Sequence, residues 1–307
     1  MVASPWLREL SSLRRLESLV LGFLELTNAA TAGAAVRFPS LPSLAHLRVH
    51  AWSGPPELHV QLDDLPALIE LELYDGGRAA LQASRPALQL QKLTCTAECL
   101  AVDFAALPCL KYGTFSLLCQ LEDPATIAVA TALTYLELDG RAEWGPSPLE
   151  VLRSLPPSVR CVSMDEQWPQ EAADLLGDMT SLVGLQLHHL DVAPLPADDA
   201  PVWAGLRAFG SSSLTRNDEG GEVPKALRQS SKLEVLQVSL MHPTIQDIDV
   251  ITSLPALRKL FVQGCRARDP DGRSLLNMAR RAAPQVEVVL DADDSYGEEF
   301  FKLRCAL

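Results

Sequence analysis

Leu41-Pro-Ser-Leu44-Ala-His-Leu47-Arg-Val49 returns 24 residues later as Leu65-Pro-Ala-Leu68-Ile-Glu-Leu71-Glu-Leu73. The same phrase reads Leu13-x-x-Leu16-x-x-Leu19-x-Leu21 near the start, then Leu133-x-x-Leu136-x-Leu138, Leu182-x-x-Leu185-x-Leu187 and Leu257-x-x-Leu260-x-Val262 further on. Weaker copies centre on Leu93, Gly113, Val162, Phe209 and Leu236. Indexed on the first residue of the closing L-x-L, eleven copies follow one another at intervals of 20 to 28 residues. Of their 44 apolar slots 40 are filled, the exceptions being Gly113, Pro156, Ser211 and Ser230. The residue between the last two slots is apolar only at Val20 and Phe261, so the two kinds of position obey opposite rules.

Alternation explains the contrast. Successive side chains of a strand point to opposite faces, so the L-x-L leucines enter a core and the residue between them leaves it for solvent. The leucines three and six residues earlier belong to the turn that closes each coil. One coil cannot bury its apolar face alone; stacked neighbours bury it jointly, as a leucine column. Leucine is 54 of 307 residues while aromatics are only 6%, as expected of many copies of one small packing unit. Helical spacing follows several strands, at 149–155, 171–179 and 274–282, and Pro224 opens a short helix ending at Gln229. Helices are wider than strands, so the array is expected to curve with its strands on the concave face.

These phrases resemble the leucine-rich repeat family, over roughly residues 10–290. The resemblance implies an α/β solenoid of about 11–12 repeats, a right-handed horseshoe with a parallel β-sheet on the concave face and short helices and loops on the convex face. The family pattern places Asn or Cys five residues beyond the first residue of the L-x-L; only Cys265 conforms here. The recurring Leu-Pro-x-Leu (Leu41, Leu65, Leu107, Leu254) is similar to intracellular plant or algal repeats, some of which sit behind an F-box. No F-box-like segment precedes residue 10. Residues 1–18 are expected as an N-terminal capping segment, with Ser4 at the N-cap and Pro5 after it; 19–290 as the solenoid; and 291–307 as an acidic cap or tail. Longer spacers at 28–38, 140–157, 191–202 and 215–223 are expected as surface loops.

Acids outnumber bases, 39 to 26, for a formal charge of −13. Phosphate contacts need clustered Lys and Arg, so neither nucleic acid nor an anionic membrane is an expected partner. The seven cysteines include no C-x-x-C pair, which gives no zinc or redox signature, and they read as thiols of a reducing compartment. No signal-peptide-like apolar run opens the chain, so the expected location is cytoplasmic.

Chemistry is sparse. Phosphate-loop, dinucleotide-binding, H-E-x-x-H and G-x-S-x-G patterns are all missing, so an enzyme is not expected and no catalytic residue, cofactor or metal is assigned. His46 and His50 flank Arg48 on one strand face and suit an anion or a carboxylate-rich partner. A metal would need a third ligand from Glu70 or Glu72, and a face of salt bridges is the commoner outcome. The concave face should carry three of the four tyrosines among acids and hydroxyls. Tyrosine is enriched at interaction hot spots, so the candidate partner-binding residues are Arg48, Glu72, Tyr74, Tyr112, Tyr135, Glu137 and Asp165. The expected function is a monomeric, non-enzymatic scaffold that binds an unidentified protein. Two alternatives stay open: the substrate-recognition part of a cullin-type ubiquitin ligase, and a structural subunit of a cytoskeletal or ciliary assembly.

Overall fold

A computed structural model describes residues 9–25, 36–53, 58–74, 77–116, 120–139, 146–164, 168–188, 194–212, 223–239, 244–263, 277, 281 and 284–290. The Ser4 capping segment, the helix expected over 274–282 and the tail 291–307 fall largely or wholly outside these residues. The chain divides into two compact units, Met1–Val159 and Arg160–Leu307.

In the first unit the strands are β1 (Ser18–Glu25), β2 (Val36–Arg37), β3 (His46–Ser53), β4 (Leu58–Gln61), β5 (Glu70–Tyr74), β6 (Arg78–Gln82), β7 (Lys92–Cys95), β8 (Cys99–Val102), β9 (Tyr112–Ser116), β10 (Gln120–Leu121) and β11 (Tyr135–Asp139). The odd-numbered strands carry the L-x-L pairs and lie side by side in chain order, all parallel. The spine leucines meet in register, Leu19 beside Leu47, Leu47 beside Leu71 and Leu71 beside Leu93, and Leu47, Leu71, Leu93 and Leu136 are fully buried. Burying one such side chain contributes roughly 1.5–3 kcal/mol, which is why a near-constant leucine stride sets the stacking. Leu13 stays 47% exposed, since β1 has a sheet neighbour on one side only among the described residues.

Each coil turns where the phrase begins. Leu44 N–H donates to the Leu41 carbonyl (3.1 Å), Leu68 to Leu65 (3.0 Å) and Leu110 to Leu107 (3.1 Å). Proline suits the second position of such a turn, because its fixed φ fits and no donor is needed there. The coils are then stitched laterally. The N–H groups of Ala45 and His46 share the Glu17 carbonyl, those of Ile69 and Glu70 share Ala45, and those of Gln91 and Lys92 share Ile69.

Behind this sheet the first unit holds an element the sequence reading did not contain. The even-numbered strands, β2 to β10, form a second parallel sheet in chain order. Leu58, Ala79 and Leu100 form one buried row of it. Short 3-10 turns follow at Leu62–Asp64, Phe104–Ala106 and Pro124–Val129. The expected helix over 149–155 is present as Pro146–Arg153.

The second unit contains β12 (Cys161–Met164), β13 (Gly184–His188), β14 (Ala208–Ser212), β15 (Val235–Ser239), β16 (Lys259–Gln263) and β17 (Glu287–Leu290), again parallel and in chain order. Its coils return through helices, Gln170–Gly177, Val202–Gly205 and Ile245–Thr252, and a 3-10 turn at Lys225–Gln229 that matches the expected short helix after Pro224. Ile245–Thr252 starts from a capping box. Thr244 accepts from the Asp247 N–H (3.2 Å), and Asp247 accepts from the Thr244 N–H (2.7 Å).

Strands with a leucine turn, repeated in parallel, make this fold a leucine-rich repeat solenoid with short helices, as expected. Three of the four broken slots are repaired locally. At Gly113 an added Cβ would sit 2.9 Å from the Phe115 ring, so that ring already occupies the space, edge-on to Phe104 at 6.1 Å. Ser230 donates to the Trp203 carbonyl (2.6 Å). Pro156 keeps its place in the turn by accepting from the Val159 N–H (3.0 Å).

Candidate functional site

Strand alternation turns His46, Arg48 and His50 away from the core, and parallel register then sets like positions abreast. One row runs His46, Glu70, Lys92, Tyr112, Tyr135; the next runs Arg48, Glu72, Thr94, Thr114, Glu137; His50 lies beside Tyr74. Neighbouring strands are about 4.8 Å apart, so these side chains must either pair or clash.

They pair. His46 Nδ1 lies 3.1 Å from Glu70 Oε2. Lys92 Nζ donates to Glu70 Oε1 and, at 2.9 Å, to Glu72 Oε1. Arg48 Nε donates to Glu72 Oε2. Glu72 is only 3% exposed. Burial by itself would raise its pKa, but the hydrogen bonds and charges of Arg48 and Lys92 outweigh it and hold the carboxyl at about 2. Lys92 is the mirror case: burial pulls its pKa down, and Glu70 and Glu72 carry it above its ordinary value. Arg48 is raised by its hydrogen bond to Glu72. Tyr74 is raised chiefly by burial; its ring stacks on His50 at 4.9 Å and 11°, and the Arg48 guanidinium carbon stands 6.0 Å from its centroid.

A second cluster lies across β9 and β11. The Tyr112 and Tyr135 rings are 6.4 Å apart and tilted by 49°. Tyr135 Oη donates to Glu137 Oε2 (3.1 Å), and Thr114 Oγ1 donates to the same oxygen (3.3 Å). Tyr112 is half-buried, while Tyr135 is only 3% exposed.

Six of the seven candidate residues are thus grouped, Arg48, Glu72 and Tyr74 in one cluster and Tyr112, Tyr135 and Glu137 in the other; Asp165 lies outside the described residues. Glu70, Lys92 and His46 join the first cluster although they were not among the seven. The alternation of sign between successive copies, Arg48 then Glu72, was the available signal.

The residue between the core leucines does leave the core, but most such residues are not solvated. Thr94, Ser163, Gln186 and Gln237 are buried on the open face like Glu72. Among the described residues of the second unit, the outward positions of β12 to β15 carry no Asp, Glu, Lys or Arg. Gly184 leaves room for Cys161, whose Sγ would lie 2.8 Å from an added Cβ. Ala208, Val235 and Phe261 are buried together, with Val289 against them.

A shallow depression of about 290 Å³ opens over the first three long-sheet strands, bordered by Ser18, Val20, His46, Arg48, Glu70 and Glu72. Among the described residues no three His, Cys, Asp or Glu side chains are grouped to hold a metal ion. No described helix is long and apolar enough to cross a membrane. Cys95, Cys99, Cys109 and Cys161 are thiols rather than half-cystines.

No protein-family model matches the chain, and no curated protein matches it significantly. Solved structures similar to it include an internalin from Listeria monocytogenes, 17% identical, covering 94% of this chain and 89% of that one with a TM-score of 0.37. A leucine-rich repeat protein of Leptospira interrogans is 16% identical and covers 94% of this chain and 93% of its own, with a TM-score of 0.32. A TLR13–ssRNA13 complex is 16% identical over 93% of this chain and 43% of that one, with a TM-score of 0.45.

Proposed function

We propose that the chain is a non-enzymatic scaffold that holds a protein partner on the open sheet face of its first unit, through Arg48, Glu72, Tyr74, Tyr112, Tyr135 and Glu137. The carrying observation is the pre-paired ladder His46–Glu70–Lys92–Glu72–Arg48, flanked by tyrosines. Charges already fixed by neighbours lose little side-chain entropy when a partner docks, and they set its register; burial of the part-exposed Tyr74 and Tyr112 rings, the latter backed by Tyr135, supplies affinity. The reading also has the chain acting as a monomer in the cytoplasm, in keeping with thiols at Cys95, Cys99, Cys109 and Cys161.

Tyr112→Ala combined with Tyr135→Ala should abolish partner capture from the native cell while the chain still melts cooperatively. Tyr135→Phe keeps the buried ring and removes the hydroxyl that donates to Glu137, so it controls for packing. Lys225→Glu, in a 3-10 turn of the second unit, should leave capture intact. Capture by the double tyrosine variant equal to wild type would refute this face.

A further inference from the structure

We infer that the depression between β1, β3 and β5 seats an acidic segment of the partner, an extended stretch whose alternate carboxylates rest on Arg48 and His46. The inference rests on the reading of the open face as the binding surface, and names the chemistry of the segment that docks there.

Hydrogen-bond accounting carries it. All four oxygens of Glu70 and Glu72 already have a donor: Oε1 and Oε2 of Glu70 from Lys92 and His46, Oε1 and Oε2 of Glu72 from Lys92 and Arg48. Glu72 is only 3% exposed, so a basic ligand could reach little beyond the second lone pairs of the Glu70 oxygens. The ladder's unused capacity is on the other side. Arg48 is engaged only through Nε, and its two terminal nitrogens have no partner among the described residues; the side chain is 47% exposed. His46 is engaged only through Nδ1, leaving Nε2 toward solvent, a second donor when the ring is protonated. A ligand that answers this surface brings acceptors.

Position and rigidity narrow it further. The Arg48 guanidinium is tied to Glu72 and set near the Tyr74 ring, so its outward fork is oriented before anything binds. His46 and Arg48 stand two residues apart on one strand, about 7 Å, which is the spacing of alternate side chains in an extended ligand. Ser18 and Val20 form the floor opposite them; both are uncharged, and Val20 is 61% exposed, an apolar surface for an intervening side chain. Among the described residues the acids bordering the depression are Glu70 and Glu72, and both are already paired with cations of the ladder.

The test uses the full chain and two labelled peptides, Glu-Ser-Glu-Ser-Glu and its glutamine counterpart, each titrated in the same buffer. The glutamate peptide should raise fluorescence anisotropy in the low millimolar range or below, and the glutamine peptide should bind about tenfold more weakly or less, as expected for losing charge-assisted bonds. Arg48→Gln should weaken the glutamate peptide about tenfold and His46→Gln about threefold. Val20→Glu sets a tethered carboxylate beside Arg48, its neighbour across the sheet, so it should block the peptide while the chain still melts cooperatively. Equal binding of both peptides, unchanged binding by Val20→Glu, or no binding to folded wild type at millimolar peptide would each overturn the inference. Partner capture that is lost with the tyrosine variant yet unaffected by Val20→Glu would sink the acidic seat and leave the open-face reading standing.

Discussion

The same position in the coil carries Arg48, Glu72 and Glu137 in the first unit and Ser163, Gln186, Gly210 and Gln237 in the second. Both rows leave a leucine spine of one pattern, and both hold buried polar groups, but they meet the cost of burial differently. Glu72 is buried with two cationic partners that answer its charge. Gln237 is equally buried, is uncharged, and its Oε1 has no hydrogen-bond partner among the described residues. The backs of the coils differ as well, a second parallel sheet followed by the single helix Pro146–Arg153 among the described residues of the first unit and helices in the second. What this teaches is that the spine constrains only the inward positions; the outer face and the return arm are free to diverge, and in this chain the interlocked ladder of charges is in the first unit while the second unit sets Lys259 beside Glu287 (3.7 Å) across β16 and β17.

The largest expected effect tests the shared part of that comparison. Leu71→Ala and Leu185→Ala each empty a fully buried spine slot, one per unit, and each should cost about 2–5 kcal/mol in urea unfolding. A negligible loss in one unit would show that the two spines are not equivalent. Next comes the ladder. Glu72→Gln should cost roughly 3 kcal/mol at neutral pH, the worth of a carboxyl held at about 2 against an ordinary 4.5. Its folded pKa is the lower one, so the contribution is complete above about 4.5 and is lost as pH falls toward 2. Melting wild type and variant from neutral to acid pH should therefore show the gap closing on the acid side; a gap independent of pH would remove the electrostatic account.

Thr244→Ala removes the cap of Ile245–Thr252 and one hydroxyl bond to Asp247, with an expected loss of about 1 kcal/mol. Amide exchange should rise in that helix and leave the first unit unchanged. The smallest effect is at Gln237→Leu, which replaces a buried amide whose carbonyl oxygen is unmatched; stability should be unchanged or slightly higher. A loss of more than about 1 kcal/mol would mean that its amide is held more firmly than the described residues indicate.

Reading the chain alone reached far along the spine. Apart from the first copy (Leu13, Leu16, Leu19 and Leu21), Ala87 and Met179, the slots named from periodicity are the buried column, and the alternating residues named for the open face lie on it in the expected rows, His46 beside Glu70 and Tyr112 beside Tyr135. Two features were harder to see. The return strands Leu58–Gln61, Arg78–Gln82 and Cys99–Val102 are four or five residues long, too short for periodicity to separate strand from helix. Thr244-x-x-Asp247, by contrast, is a legible capping signal that the helical-spacing search passed over, since the helix after it spans only Ile245–Thr252.

Sequence alone determined which side chains enter the core and which leave it, because alternation along a strand and the reach of a turn are local and repeat with every copy. Tertiary structure decided which outward side chains meet, that Glu72 and Tyr135 are buried among their neighbours, and whether each coil returns as strand or helix. Those outcomes depend on partners one whole coil away, 20 to 28 residues along the chain, and burial on an open sheet face is a collective property of adjacent strands that no single stretch of residues encodes.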